Sequence, residues 1–265
     1  MKSKKLLLLA LVTLFALAFS SCSAKRVVAA LAFSSCSAKR VVASDVSVVD
    51  GSDDHRTFNV GSFDRIEQSG VTTIRFTQGP HVSVTATGPT RELNNLNVYT
   101  KGGCLYVENK DKRGNGRRQG CELVVVAPNL TDLDVCGVCS FHASKLDVDH
   151  FNLKVSGVSS FHVEQINCND THFDVSGVGN INTTVSGDKL YADLSGVSNS
   201  KISFKGKTLN IENSGVGKTT LYVECDELKA SNSGNATLKI KGTADDTHVD
   251  NSGLAKIDTS ELNQY

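Results

Sequence analysis

Apolar and polar residues recur with a long, regular period from residue 131 to the C-terminus. Ser-Gly-Val or a close variant occurs seven times, with successive spacings of 20, 20, 19, 19, 19 and 19 residues. A period of this size, kept over more than three repeats, is typical of solenoid proteins. The glycines of the seven motifs are Gly137, Gly157, Gly177, Gly196, Gly215, Gly234 and Gly253.

Each repeat places hydrophobic residues at the same offsets from its glycine. In the first repeat these are Leu133 and Val135 before the motif and Phe141 after it. Alternation with a period of two puts Leu133 and Val135 on one face of a strand. No helix-length segment separates the motifs. Each repeat is therefore predicted to be a short strand, a glycine bend and a second short strand.

About 19 residues suffice for one coil of a parallel β-helix and are too few for a strand-plus-helix repeat. Apolar columns then stack into one core, and each coil pairs with its two neighbours. We predict an all-β fold, a right-handed parallel β-helix-like solenoid with 19–20-residue coils and a less regular β-rich N-terminal part. The glycines should lie at bends where a side chain would clash or φ must be positive. Gly70, in the segment "QSGVTTI", begins an earlier unit with the same offsets.

The last three repeats change the residue that precedes the serine of the motif. Earlier repeats carry Val or Leu there, and the later ones carry Asn213, Asn232 and Asn251. Inward asparagines one coil apart form ladders of side-chain amide hydrogen bonds along a stack. We predict such a ladder; the alternative is that three surface asparagines share a register.

The segment before residue 130 is less regular but rich in strand-like sequence, including "HVSVTATG", "GGCLYVENK" and "CELVVVAP". The basic run "KDKRGNGRR" at 110–118 contains Asn-Gly and is predicted to be the turn of a hairpin. Cys104 and Cys121 flank this run almost symmetrically, so we predict a cross-strand disulfide between them. The basic residues themselves are either a solvated turn or a contact for anionic glycans or lipid headgroups.

The N-terminus has the pattern of an export signal. Three lysines within the first five residues precede an apolar run from Leu6 to Phe19, and Cys22 follows small residues. The segment from Leu17 to Cys22 resembles a bacterial lipoprotein signal, in which the cysteine becomes the lipidated first residue. We predict lipidation at Cys22; the alternative is an ordinary signal peptide that contains a cysteine.

A second cysteine lies in the same context, because the 14-residue segment "ALAFSSCSAKRVVA" occurs twice in tandem between Ala16 and Ala43. If Cys36 were lipidated, Lys25 and Arg26 would lie in the membrane-inserted segment, where each costs about 2.5–3.5 kcal/mol. Cys22 is therefore the predicted anchor, and the second copy lengthens the tether.

Charge excludes one class of partner. The 265 residues have a formal net charge of zero, with 39% hydrophobic and 21% charged residues, which does not fit the basic composition of a nucleic-acid binder. Loss of residues 1–21 leaves 25 basic and 28 acidic residues. We predict a signal peptide at 1–21, a tether at 22–44, the β-rich part at 45–130 and regular repeats at 131–265.

The repeats resemble those of a known family. The unit around Gly70, the strand pair that ends in "APNL" and the series of Ser-Gly-Val coils with Gly-Asn-Ile at 179–181 resemble the putative auto-transporter adhesin, head GIN domain family. The resemblance covers roughly residues 58 to 260. It implies an exported, often lipid-anchored protein of Bacteroidetes-type bacteria, and it brings no catalytic residues.

Three groups of residues invite a chemical interpretation. Cys136 and Cys139 have the spacing of a redox pair, but no thioredoxin-like pattern surrounds them. His142 and His162 should stack on neighbouring coils, which raises the hypothesis of a metal site, although a fourth ligand is missing. An outward column of carboxylates would suit a polysaccharide lyase or hydrolase, but Lys154 interrupts it. Its acidic members are Asp134, Asp174 and Asp193.

These features favour a lipid-anchored binding or adhesion module of the cell envelope without catalytic activity. The alternatives are a carbohydrate-active enzyme on the same scaffold and a structural envelope protein. We predict no cofactor, no metal site and no nucleic-acid partner. The expected partners are the membrane, through the lipid anchor in the outer membrane, and a glycan or an envelope protein as ligand.

Overall fold

The computed structural model describes residues 54–110 and 120–264. Strands make up most of this range, and one short helix, α1 (Thr90–Asn95), interrupts the N-terminal part. The strands are β1 (Asp54–Phe58), β2 (Arg65–Gln68), β3 (Val71–Gln78), β4 (Ser83–Gly88), β5 (Leu96–Lys101), β6 (Cys104–Asn109), β7 (Cys121–Ala127), β8 (Asp132–Val135), β9 (Val138–Val155), β10 (Val158–Val175), β11 (Val178–Leu194), β12 (Val197–Asn213), β13 (Val216–Asn232), β14 (Asn235–Asn251) and β15 (Lys256–Gln264).

The strands from β9 to β15 form a parallel solenoid in which each strand pairs with the next. Its coils are about 19 residues long, and matched positions of the sequence repeats face each other, as Phe141 faces Phe161. The predicted solenoid is thus confirmed. One detail differs from the prediction. Each coil is not two short strands, since β9 to β14 are each 17 or 18 residues long and stop only at the Ser-Gly bend.

The early unit around Gly70 is a full coil, although its neighbours come later in the chain. Its strand β2 pairs in parallel with both β6 and β8, and β3 pairs in parallel with both β7 and β9. The outermost coil, β6 and β7, is covered by antiparallel strands, β5 on β6 and β4 on β7. An antiparallel cover of this kind protects the end of a parallel stack from pairing with other chains.

This arrangement corrects the predicted hairpin and its disulfide. Strands β6 and β7 are successive parts of one coil and do not pair with each other. Cys104 lies opposite Arg65, whereas Cys121 lies opposite Thr72, seven residues further along the neighbouring coil. The two cysteines are not bonded to each other in the structure. The tip of the basic run, residues 111–119, lies outside the described residues.

One hydrophobic core runs through the N-terminal part and the solenoid without a break, from Phe58 to Ala244. In its middle the ring of Phe141 stacks on that of Phe161, with centroids 5.5 Å apart and planes 9° apart. Stacked aromatic side chains on successive coils add to the free energy gained from burial alone. Within residues 54–110 and 120–264, no helix has the length and apolar character needed to span a membrane.

The glycine bends are places of very close backbone approach. A Cβ built on Gly177 would lie well inside van der Waals contact of the carbonyl oxygen of Gly157, one coil earlier. The same holds at Gly137, Gly157, Gly196 and Gly215, each against the preceding glycine of the column. Gly234 instead has a positive φ of 76°, which side chains disfavour. A Cβ on Gly70 would meet Oδ1 of Asn109 at 2.6 Å, and Gly253 has a φ of 71°.

The three asparagines of the last repeats lie one above another, with Asn213 and Asn232 buried. Asn213 Nδ2 donates to Oδ1 of Asn232 at 2.9 Å, and Asn232 Nδ2 lies 3.3 Å from Oδ1 of Asn251. The same Asn232 amide donates to the carbonyl oxygen of Lys256 at 3.0 Å. The side chains therefore join three coils to each other and to the start of β15.

Candidate functional site

The parallel register turns outward positions of successive coils into continuous surface columns. The column predicted from the sequence is present, with Lys154 facing Asp134 on one side and Asp174 on the other. Asp174 then faces Asp193, and Asp193 faces Glu212. Three carboxylates thus follow one another on neighbouring coils, with a strand spacing of about 4.8 Å.

A second outward column runs beside the carboxylates and contains an aromatic pair that the sequence analysis missed. The rings of His172 and Tyr191 stack with centroids 4.6 Å apart and planes 18° apart. Asn152 precedes His172 in the column, and Asn210 follows Tyr191. A shallow groove follows this column on the solenoid surface, and we call it the aromatic groove. Its lining residues are His150, Asn152, Asp170, Thr171, His172, Lys189, Leu190, Tyr191, Thr208 and Asn210.

The pKa of one carboxyl group beside the groove is raised by its surroundings. The pKa of Asp193 is raised first by partial burial and then by the nearby charges of Asp174 and Glu212, while His172 opposes the rise. The pKa of Tyr191 is raised by burial, by Glu212 and by Asp193. Among the described residues, Asp174, Asp193 and Glu212 take part in no ion pair.

The raised pKa of Asp193 makes the stability of the protein depend on pH in a definite direction. A carboxyl group whose pKa is higher in the folded chain than in the unfolded chain binds protons more readily when folded. Ionised Asp193 therefore lowers stability at neutral pH, and the loss disappears as the pH falls below the usual carboxyl range.

The cysteine pair of the first repeat does not have the properties of a redox site. Cys136 Sγ lies 3.5 Å from Oδ1 of Asp134 on the outside of the coil, whereas Cys139 is buried. Burial raises the pKa of Cys139 to about 12, with a hydrogen bond to Thr72 opposing the rise. A thiol with such a pKa is a poor nucleophile at neutral pH.

The histidines of the first two repeats face each other on neighbouring coils, as their spacing predicts, but their rings are tilted and not stacked. The rings of His142 and His162 have centroids 6.1 Å apart and planes 59° apart. His162 Nδ1 lies 3.1 Å from Nδ2 of Asn182, and the pKa of His142 is lowered by burial, by Arg75 and by His162. No group of three or more potential metal ligands occurs in the described parts of the chain.

Three further surface columns were not foreseen from the sequence, one of valines and two that contain lysines. The valines of the Ser-Gly-Val motif point outward, and Val138, Val158, Val197 and Val216 are 39–46% exposed. Lysines also recur at 38-residue intervals in two adjacent outward columns, Lys201 with Lys239 and Lys218 with Lys256. Counting outward positions in multiples of the repeat would have found the lysines.

The predicted lipidation site, Cys22, lies outside the described residues.

The chain is similar to members of a known protein family. A family model described as putative auto-transporter adhesin, head GIN domain, matches residues 62–203 and 198–264. No curated protein matches the chain.

Solved structures of other bacterial proteins share the fold. A putative adhesin from Bacteroides fragilis is 19% identical with a TM-score of 0.68, over 78% of this chain and 96% of its own. A putative adhesin from Parabacteroides distasonis is 16% identical with a TM-score of 0.56, over 78% and 98% of the two chains. At such identities the likeness concerns the fold alone.

Proposed function

Because the chain belongs to the putative auto-transporter adhesin, head GIN domain family, we propose that it is an exported, lipid-anchored binding module of the cell envelope that does not transform its ligand. The family match confirms the resemblance drawn from the Ser-Gly-Val repeats. It supports a role in adhesion at the coarse level that the family description gives. We infer the class of ligand and its binding site from the side chains on the surface of the solenoid.

The aromatic groove is the observation that carries this proposal. The stacked rings of His172 and Tyr191 offer apolar surface, and the amides of Asn152 and Asn210 extend along the same column. Sugar rings present C–H groups to aromatic side chains and hydroxyl groups to amides and carboxylates, and binding sites combine apolar surface with a few such polar groups. A neutral, extended glycan lying along the solenoid axis satisfies these groups on successive coils.

Removal of the aromatic surface tests the groove. We expect Tyr191→Ala to weaken retention of neutral glycans about tenfold, equivalent to about 1.4 kcal/mol, because the sugar loses its stacking surface. Tyr222→Ala is the control, since Tyr222 is an exposed tyrosine on a different segment of the coil. The measurement is binding of the purified protein to an array of neutral polysaccharides. Equal retention of both variants and the unaltered protein would rule out the groove.

The carbohydrate-active enzyme remains the second candidate function, and one observation favours it. Asp174 and Asp193 lie on neighbouring coils, and the pKa of Asp193 is raised, as in pairs where one carboxyl acts as acid and the other as base or nucleophile. The same polysaccharide panel separates the two functions. Release of reducing ends that disappears in Asp174→Asn identifies an enzyme, and retention without cleavage identifies a binding module. Neither retention nor cleavage favours a structural envelope protein.

The lipid anchor is tested separately from the ligand. We expect metabolic labelling with a fatty-acid analogue to disappear in Cys22→Ala, because the cysteine after the apolar signal carries the acyl chain. Labelling should persist in Cys36→Ala, which has the same local sequence in the second copy of the duplicated segment. Labelling that survives in the first variant and disappears in the second would move the anchor to Cys36. Labelling of neither the unaltered protein nor the variants would indicate an ordinary signal peptide.

A further inference from the structure

Four successive coils at the C-terminal end each contribute one lysine to a regular row on the same side of the solenoid. They are Lys201 on β12, Lys218 on β13, Lys239 on β14 and Lys256 on β15, and we call them the lysine row. Lys201 and Lys239 share one outward column, and Lys218 and Lys256 share the next. The lysines therefore alternate between two columns and rise along the axis by about 4.8 Å per coil.

Most of the positive charge in the row is not neutralised by the protein. Lys201, Lys218 and Lys256 are exposed and form no ion pair within the described residues. Lys239 differs, since it pairs with Asp258 at 3.3 Å and with Glu261 at 2.6 Å. A chain with a formal net charge of zero thus carries three uncompensated lysines in a line.

Lysines elsewhere on the same coils are partnered, which shows that the row is not a general feature of the surface. Lys205 pairs with Glu224, Lys207 with Asp188, and Lys229 with Glu227 at distances of 2.6, 2.9 and 2.5 Å. Free positive charge is therefore concentrated on one side of these coils. It is available for a partner that brings its own negative charge.

The groups around the row suit a sugar polymer. The ammonium group of Lys201 lies 5.3 Å from the ring centroid of Tyr222, and that of Lys241 lies 5.7 Å from the same centroid on the next coil. The contact positions Lys201 without cancelling its charge, whereas Lys241 also pairs with Glu261 at 2.7 Å. The positions that alternate with the lysines are Asn199, Thr220 and Thr237, so hydroxyl and amide groups separate the charges.

We propose that the lysine row binds a linear acidic polysaccharide that lies along the solenoid axis with its carboxylate or sulfate groups on successive lysines. A line of single charges with a regular rise matches a polymer that carries an acidic group on each unit. A narrow row of lysines with Asp258 and Glu261 beside it suits a linear polymer better than a flat anionic membrane, which would have to cover these carboxylates as well. The site is separate from the aromatic groove, since Lys201 and Asn210 are nine residues apart on one coil.

The test measures binding of the purified protein to immobilised polygalacturonate, an acidic linear polysaccharide, with neutral dextran as the reference. We expect K201Q/K218Q/K256Q to bind polygalacturonate at least tenfold more weakly than the unaltered protein. The control, K205Q/K207Q/K229Q, removes the same number of charges from partnered lysines and should stay within about twofold, since paired surface charges contribute little. Binding of the unaltered protein should weaken as salt is raised.

Every outcome decides between alternatives. Equal losses in both triple variants would show that diffuse charge and not the row attracts the polymer, and unchanged binding in the row variant would exclude the site. Binding to phosphatidylglycerol vesicles that depends on the row, without binding to polygalacturonate, would make the face a membrane contact and overturn the proposal. Circular dichroism checks that each variant is folded. Neutral-glycan retention, which depends on Tyr191, should be unchanged in the row variant, so the two sites fail independently.

Discussion

Gly177→Ala is expected to destabilise the protein by about 3 kcal/mol, the upper part of the usual range for overpacking. The new Cβ would meet the carbonyl oxygen of Gly157, which already accepts a 2.9 Å hydrogen bond from the backbone N–H of Val178. Backbone atoms cannot rotate away as a flexible side chain can, so two coils must separate at the bend. Urea unfolding followed by circular dichroism gives the change in the free energy of unfolding.

The matched control for this prediction lies two residues along the same coil. A Cβ on Gly179 would lie 3.4 Å from Oγ of Ser159 and 3.5 Å from Cγ1 of Val175, which is ordinary contact. Gly179→Ala should therefore change stability little. If the two variants were equally stable, close approach of the coils could not be the reason for the glycine in the repeat.

Asn232→Val is expected to lower the free energy of unfolding by about 2 kcal/mol, although valine is the residue that earlier repeats carry at this position. The amide of Asn213, which is 4% exposed, loses its acceptor, and a buried polar group without a partner costs about 1–3 kcal/mol. The carbonyl oxygen of Lys256 also loses a donor at the start of the last strand. The measurement is again unfolding in urea, with hydrogen exchange of β15 to detect local loosening.

Replacing all three asparagines measures what the ladder contributes to stability, apart from the loss caused by leaving one amide unpaired. In Asn213→Val with Asn232→Val and Asn251→Val, no side-chain amide is left unpaired, and the column continues the buried Val135, Val155 and Val175 of the first repeats. Removing both partners of a hydrogen bond costs less than removing one. The triple variant should therefore lose less stability than three times the single loss. A neutral Asn232→Val would show that the ladder does not contribute.

Much of the fold was predictable because the core imposes a strict pattern. In a parallel stack, each apolar residue must meet its counterpart one coil away, so Phe141, Phe161 and their neighbours keep a near-constant spacing. The carboxylate column followed from the same count. The aromatic pair and the lysine row were missed because His172, Tyr191 and the lysines lie at outward positions, which need not repeat a residue type from coil to coil.

The predicted hairpin was wrong because two segments placed symmetrically about a turn in the sequence do not pair with each other in the structure. Cys104 and Cys121 flank a basic run with an Asn-Gly turn signal, and local turn chemistry favours a hairpin there. Strands β6 and β7 instead pair in parallel with β2 and β3, which precede them by 39 and 49 residues. Pairing between segments so far apart cannot be read from the local sequence, because β2 and β3 have sequences that would form strands beside other partners as well.

The sequence by itself determined that this protein is a stack of β-coils of about 19 residues with glycine at each bend. The reason is that burial and close backbone approach constrain every coil in the same way. The tertiary structure alone decided the order of the N-terminal coils and the separation of Cys104 from Cys121. It also decided which exposed side chains meet, as His172 meets Tyr191. Those contacts depend on pairing between distant segments and on solvent-facing positions, where burial sets no pattern.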